Sequence, residues 1–124
     1  MGEYIMTTDR QKICKCGVNT AEFLNDISTL EGNLRIVKVE ESAIYVPAFK
    51  SSINSIYSNI NKIEDDCGID ARDTKWSYSD IFNKIEKMEI IKDSTKFNEK
   101  KSDIFNDLSR IRYGVVKKVK DCSK

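Results

Sequence analysis

From Phe49 onward the apolar positions run Phe49, Ile53, Ile56, Tyr57, Ile60, Ile63 and Cys67, mostly in steps of three and four. That spacing gathers them on one face of a helix, and the opposite face carries Ser, Asn and Lys. Pro47 just before the stripe and Gly68 just after it are start and stop signals, so the pattern predicts a helix over 48–66. A second stripe, Ile81, Phe82, Ile85, Met88 and Ile91, predicts a helix over 78–92, with Ser77 and Asp80 forming an S-x-x-D cap. Asp93-Ser94-Thr95 then breaks the chain and offers a cap for a third helix over 95–120. Its stripe is Phe97, Lys101, Ile104, Phe105, Leu108, Ile111, Val115 and Val119, with Lys101 the single polar interruption. Gly114 lies inside it at a cost of roughly 1 kcal/mol against Ala, which marks a bend or the close approach of another helix.

The first part of the chain reads less simply. Asn19-Thr20-Ala21-Glu22 has the form of a capping box, Phe23, Ile27 and Leu30 follow at helical spacing, and Gly32 is a candidate stop. Residues 34–46 allow two readings. Leu34, Ile36, Val37 and Val39, then Ile44-Tyr45-Val46, suit a short β-hairpin turning near Glu41-Ser42. Alternatively Leu34, Val37 and Ile44 continue the preceding stripe as one long helix up to Pro47, the reading the spacing favours. Residues 1–8 are expected to fray. Residues 68–77 form the clearest polar connection, where Trp76 is either a lid on the core or an anchor facing a partner. The pattern as a whole predicts an all-α chain, an antiparallel bundle of about four helices in a single domain over 1–124.

Composition agrees. A chain of 124 residues suffices for one hydrophobic core, and 40% apolar with 33% charged residues suits a globular domain with a charged surface. One Pro and five Gly are too few for a turn-rich β-sandwich. No apolar run approaches the ~20 residues that span a bilayer. The segment Met1-Gly2-Glu3-Tyr4-Ile5-Met6 has neither a secretory pattern nor the Ser or Thr a myristoylation site needs, and Met6 offers an alternative start. A cytoplasmic chain without membrane contact is the expectation.

Four cysteines, Cys14, Cys16, Cys67 and Cys122, are then expected as reduced thiols, with Cys67 on the core stripe. Only Cys14 and Cys16 are close, with one residue between them, which is not the C-x2-4-C spacing of zinc knuckles. No metal and no cofactor are expected. The acidic group Glu64-Asp65-Asp66, with Asp70 and Asp73, does not have EF-hand spacing and reads as a solvated helix end. Histidine is absent, which removes the usual general base near neutral pH and the usual triads.

The net charge of +1 conceals an asymmetry. Residues 1–92 carry 12 Lys and Arg against 15 Asp and Glu, and residues 93–124 carry 9 against 5. From Arg110 onward stand Arg110, Arg112, Lys117, Lys118, Lys120 and Lys124, with Asp121 the one acid. Such a helix end can grip phosphate or complement the negative end of its own dipole.

The stretch Ile81 to Lys117 resembles the end of a HEPN domain: an apolar helix, Met88-Glu89-Ile90-Ile91-Lys92-Asp93, then a helix ending Leu108-Ser109-Arg110-Ile111-Arg112-Tyr113-Gly114-Val115-Val116-Lys117. That family is an α-helical bundle whose active members cleave RNA with Arg, often followed by Asn, and a His four to six residues after the Arg, meeting across a dimer. The resemblance implies Arg112 at the Arg, Tyr113 where Asn is common and Lys117 where His belongs. Lysine, with a reference pKa near 10.4, is a poor substitute base at neutral pH. The implied member is therefore catalytically silent, kept for dimerisation, RNA binding or holding a partner.

Three functions follow as expectations. The first is a noncatalytic helical regulator that binds another protein, such as a toxin or nuclease partner, an immunity protein or a phage anti-defence inhibitor, through Trp76, Tyr78 and Tyr45. The second is an RNA- or DNA-binding module using Arg110, Arg112, Lys117, Lys118 and Lys120. The third is a divergent ribonuclease centred on Arg112.

Overall fold

The computed structural model describes the backbone of residues 2–123 and the side chains of residues 17–121. Its elements are α1 (Gly2–Ile36), a 3-10 turn (Val39–Glu41), α2 (Ser42–Cys67), the single-turn α3 (Arg72–Lys75), α4 (Tyr78–Met88) and α5 (Ser94–Ser123). No strand occurs among the described residues, and the chain is an all-α bundle. The segment 1–8 and Cys14, Cys16 and Cys122 lie outside the described side chains.

Four helices circulate around one core: α1 packs on α2, α2 on α4, α4 on α5, and α5 on α1. Cross-helix contacts show that α1 and α2, α2 and α4, and α5 and α1 run antiparallel. Asn59 Nδ2 donates to Asp26 at 2.6 Å, and Asn19 donates to Asp66, so later residues of α2 meet earlier residues of α1. Lys50 pairs with Glu86 at 3.8 Å while Tyr57 meets Ser77, which sets α2 against α4. Arg112 pairs with Glu31, and the Arg35 guanidinium lies 5.8 Å from the Phe105 ring centre, which closes the ring of helices.

The core is the stripes brought together. Phe23, Ile27, Leu30 and Leu34 of α1 meet Val46, Phe49, Ile53, Ile56, Ile60 and Ile63 of α2, and Ile81, Ile85, Phe97, Ile104, Leu108 and Val115 complete it, all buried. At roughly 1.5–3 kcal/mol for each large side chain removed from water, this shared centre dominates the stability of the fold.

Several boundaries differ from the sequence pattern. Neither a hairpin nor one continuous helix forms over 34–46. α1 ends at Ile36, the chain reverses, and α2 begins at Ser42. The β-branched cluster Ile36, Val37 and Val39 weakens the helix at this point. The reversal is held by Glu41, whose N–H donates to the Lys38 carbonyl at 2.9 Å and whose carboxylate accepts the Lys38 N–H at 3.0 Å.

Pro47 accordingly lies inside α2 and does not start it. Buried Ser42 and Val46 extend the stripe backwards, and a proline this early removes only one backbone bond. At the other end Asn19-Thr20 does not cap a helix, because α1 already runs from Gly2 and continues past Gly32. α4 stops at Met88, and Ser77 gives it no side-chain cap, since the Ser77 hydroxyl donates instead to the Thr74 carbonyl at 2.6 Å.

The polar interruption of the α5 stripe has a structural task. Lys101 Nζ donates to the Val37 carbonyl at 3.0 Å, just past the C-terminal end of α1, where the helix dipole favours a cation. Burial holds the Lys101 ammonium below the ordinary lysine value.

Candidate functional site

The connection from α2 to α4 is a fixed corner. Cys67 ends α2, and Gly68 adopts the left-handed conformation at φ 69°, its N–H donating to the Glu64 carbonyl at 2.9 Å. Glycine takes that conformation without the Cβ clash that other residues suffer. The chain then folds back on its own helix end. The Glu64 carboxylate accepts the Ala71 N–H at 2.8 Å and pairs with Lys75. Burial pushes that carboxyl up, but Lys75 and the Ala71 N–H together hold it below its usual range.

The single turn of α3 lies against α5. A Cβ placed on Gly114 would stand 3.2 Å from Thr74 Oγ1, so the glycine permits a close approach of the two elements. Lys118 pairs with Asp73 and donates to the Asp70 carbonyl at 2.7 Å. Beneath the corner, the Ser77 hydroxyl spends its hydrogen on Thr74, so Tyr57 Oη is the donor in the 2.5 Å contact between them. Burial pushes the Tyr57 phenol up to about 12.

Trp76 projects from this rigid corner. It is 82% exposed, which excludes the reading of a lid on the core. The other two aromatic candidates are placed differently. Tyr78 is half-buried between Tyr57 (ring centres 5.0 Å) and Phe82 (5.6 Å), and its hydroxyl bonds to Asn54. Tyr45 is half-buried against Phe49, with ring centres 5.8 Å apart. Tyr45 stands near the start of α2, whereas Ser77 and Lys75 on either side of Trp76 meet Tyr57 and Asn61, about 18–24 Å further along that helix. Trp76, Tyr78 and Tyr45 therefore do not form one surface.

The basic helix end divides in the same way. Arg112 is half-buried and pairs with Glu31, which is 8% exposed in the seam between α1 and α5. Lys118 is used on the corner. Lys117 and Lys120 remain exposed, and Arg110 reaches Asp107 only at 3.9 Å, a carboxylate already held by Lys84 at 2.7 Å. Contact with Asp107 raises the Lys84 ammonium above its ordinary value, and Asp80 joins it at 3.1 Å. The nearby acids are thus paired within the fold, Asp70 with Arg72, Asp73 with Lys118, and Asp80 and Asp107 sharing Lys84.

Tyr113, 69% exposed, stands among the remaining cations Arg110, Lys117 and Lys120 at helical spacings of three, four and seven. It joins Arg112, Val116, Lys117, Lys120 and the acid Asp121 along a depression of about 450 Å³. A second crevice, about 340 Å³, lies between the corner and α5, lined by Asp73, Thr74, Ser77, Asp80, Asp107 and Arg110. The sequence pattern did not single out Tyr113 as a surface residue. The signal was present, because Tyr113 falls opposite the stripe Leu108, Ile111 and Val115.

Among the described residues, no group of three His, Cys, Asp or Glu side chains could hold a metal ion, since Glu64, Asp66, Asp70 and Asp73 each turn to a different partner. No helix among them is long and apolar enough to cross a membrane. Cys67, expected as a buried thiol, is buried but disulfide-bonded. In comparisons with known proteins, no family model, no curated protein and no solved structure matches this chain.

Proposed function

We propose that this chain is a noncatalytic binding module whose partner is another protein and whose anchor is Trp76. One observation carries the reading: a tryptophan is 82% exposed on a corner that hydrogen bonds and ion pairs hold in place. An exposed indole on a rigid support is a costly surface feature for a chain that binds nothing. Tryptophan, tyrosine and arginine are also the residues that concentrate binding energy in protein interfaces. Arg72 and Arg110 are exposed beside the corner, and the crevice between it and α5 could receive a partner side chain. The HEPN-like pattern of Ile81 to Lys117, with Lys117 in the histidine place, agrees with a helical domain kept for holding a partner.

The test is affinity capture from the native host with the full chain, with Trp76→Ala and Ile44→Ala as parallel baits. Ile44 is equally exposed but lies on the far end of α2. Proteins retained by the wild type and Ile44→Ala but lost from Trp76→Ala support the reading. An identical set on all three baits removes Trp76 from it.

A second reading, nucleic-acid binding, is favoured by the stripe Arg110, Tyr113, Lys117 and Lys120 that the internal pairs leave exposed. An aromatic ring among cations suits stacking on bases with phosphates alongside. It predicts anisotropy-detected binding of a single-stranded oligonucleotide that weakens steeply with salt. Lys117→Glu with Lys120→Glu should abolish that binding, and Lys118 is left intact because it holds the corner. Binding unchanged by the pair would eliminate this reading.

A further inference from the structure

The end of the bundle away from Trp76 holds a concavity of about 370 Å³, between the α1–α2 reversal and the start of α5. Three cations line it from three segments: Arg35 from the last turn of α1, Lys38 from the reversal and Lys101 from α5. Ser94 and Asn98 stand beside them, and Glu40 is the one acid among the described residues of the lining. Lys101 lies about 20 Å along α5 from Gly114, where the Trp76 corner docks.

These cations differ from those of the corner. Lys75, Lys84 and Lys118 each sit on a carboxylate, whereas no described carboxylate forms an ion pair with Arg35, Lys38 or Lys101. Arg35 lies over the Phe105 ring, and Lys101 meets the Val37 carbonyl and the Phe97 ring, all neutral groups. Two acids of the same segments are engaged by backbone: Glu41 accepts the Lys38 N–H at 3.0 Å, and Asp93 accepts the Lys96 N–H at 2.9 Å. Because Asp93 already caps α5, the concavity does not rest on a bare helix end.

Lys101 carries the argument furthest. It is half-buried in an otherwise apolar stripe, and burial alone holds its ammonium below the ordinary value, with no anion offsetting the loss of water. A cation taken from water without a counter-charge is costly. The C-terminal end of α1 supplies only about half a charge against three cations. The missing partner is an anion. A single carboxylate would answer one cation, whereas three cations and two neutral donors suit a doubly charged group with several acceptor oxygens, and a guanidinium meets such a group with two parallel bonds. The volume is that of a small-molecule site.

We propose that Arg35, Lys38 and Lys101, with Ser94 and Asn98, bind the phosphoryl group of a small molecule. The site goes beyond the Trp76 reading and stands without it.

The test titrates inorganic phosphate, pyrophosphate and ATP into the nitrogen-15-labelled full chain at fixed ionic strength, with sodium chloride as the blank. Saturable amide shifts centred on Lys38, Val39 and residues 94–101 are expected. A response to phosphate or pyrophosphate identifies the free anion as ligand, a response confined to ATP identifies a nucleotide-borne group, and either supports the site. Lys101→Met keeps the apolar stem without the charge and should weaken binding at least about tenfold. Lys38→Gln with Arg35→Gln, both exposed positions, should do the same and decides the matter should Lys101→Met not fold. Trp76→Ala and the pair Lys117→Glu with Lys120→Glu should leave the affinity within about twofold, so this site and the binding surfaces fail or stand separately. No saturable shift with any probe, shifts centred on Arg110 to Lys120, or undiminished affinity in the folded Arg35, Lys38 or Lys101 variants would overturn the proposal.

Discussion

At the scale of single residues, the fold separates side chains that look alike in sequence. Phe49 and Trp76 are both large aromatics, but Phe49 is fully buried and Trp76 is 82% exposed. Truncating Phe49 to Ala removes packed surface and leaves a cavity, so we expect a loss of ~3–5 kcal/mol by urea denaturation. Trp76→Ala should stay within about 0.5 kcal/mol of the wild type in the same assay, while partner affinity falls by ~2 kcal/mol or more. The carboxylates of the corner give a second residue-scale expectation. Arg72 holds Asp70 down to about 2, Lys118 holds Asp73 below its usual range, and Glu64 is held down by Lys75 and Ala71 N–H against its own burial. A carboxyl depressed in the folded state contributes stability above its unfolded value, near 4, and loses it as pH falls through the folded value. The corner should therefore be constant from about pH 5 upward and loosen below about pH 4. Hydrogen exchange of the Ala71 and Trp76 amides, compared at matched intrinsic rates, reads this directly, and Glu64→Gln should weaken the dependence.

At the scale of elements, a helix is decided by its stripe before its signals. Pro47 is a strong start signal, yet α2 begins at Ser42, because Ser42 and Val46 have a place in the core. The proline ring leaves the Ala43 carbonyl without its helical N–H partner. Pro47→Ala restores that bond, and we expect a gain of ~1–3 kcal/mol in urea denaturation. Arg112 shows the same priority in α5. Its sequence position suggested phosphate binding or a catalytic arginine, but its guanidinium closes the α1–α5 seam on Glu31. Arg112→Ala leaves that nearly buried carboxylate without its cation, and a loss of ~1–3 kcal/mol is expected. Adding Glu31→Gln should recover part of it. An additive result in the double variant would show that the two side chains do not support each other.

At the scale of the molecule, the near-neutral chain acquires local polarity only through packing. Antiparallel pairing sets Lys84 against Asp107, Lys118 against Asp73 and Lys75 against Glu64, all distant in sequence. These pairs take up most acids around the corner, and Arg110, Lys117 and Lys120 remain exposed around Tyr113, with Asp107 at 3.9 Å from Arg110 and Asp121 in the same depression. The Asn59–Asp26 and Asn19–Asp66 bonds fix the register of α1 on α2, where an apolar seam alone would tolerate a slide by one turn. Trp76, the crevice and the Tyr113 stripe then share one end of the bundle, because α3 docks on α5 through Thr74 and Gly114.

The local pattern by itself determined the class and the core. Apolar residues three and four apart gather on one face of a helix, and most stripe residues from Phe23 to Val115 are buried, with Phe82, Ile91 and Phe105 at the edge of the core and Ile44 outside it. It also determined that no imidazole exists to move protons. The tertiary structure alone decided which polar residues are free. Trp76 sits in a connection without a period to say where it points, and Arg112 and Lys118 differ from Lys117 only in what lies across from them. Exposure and ion pairing depend on partners tens of residues away, whereas helical period is written in neighbours three and four apart.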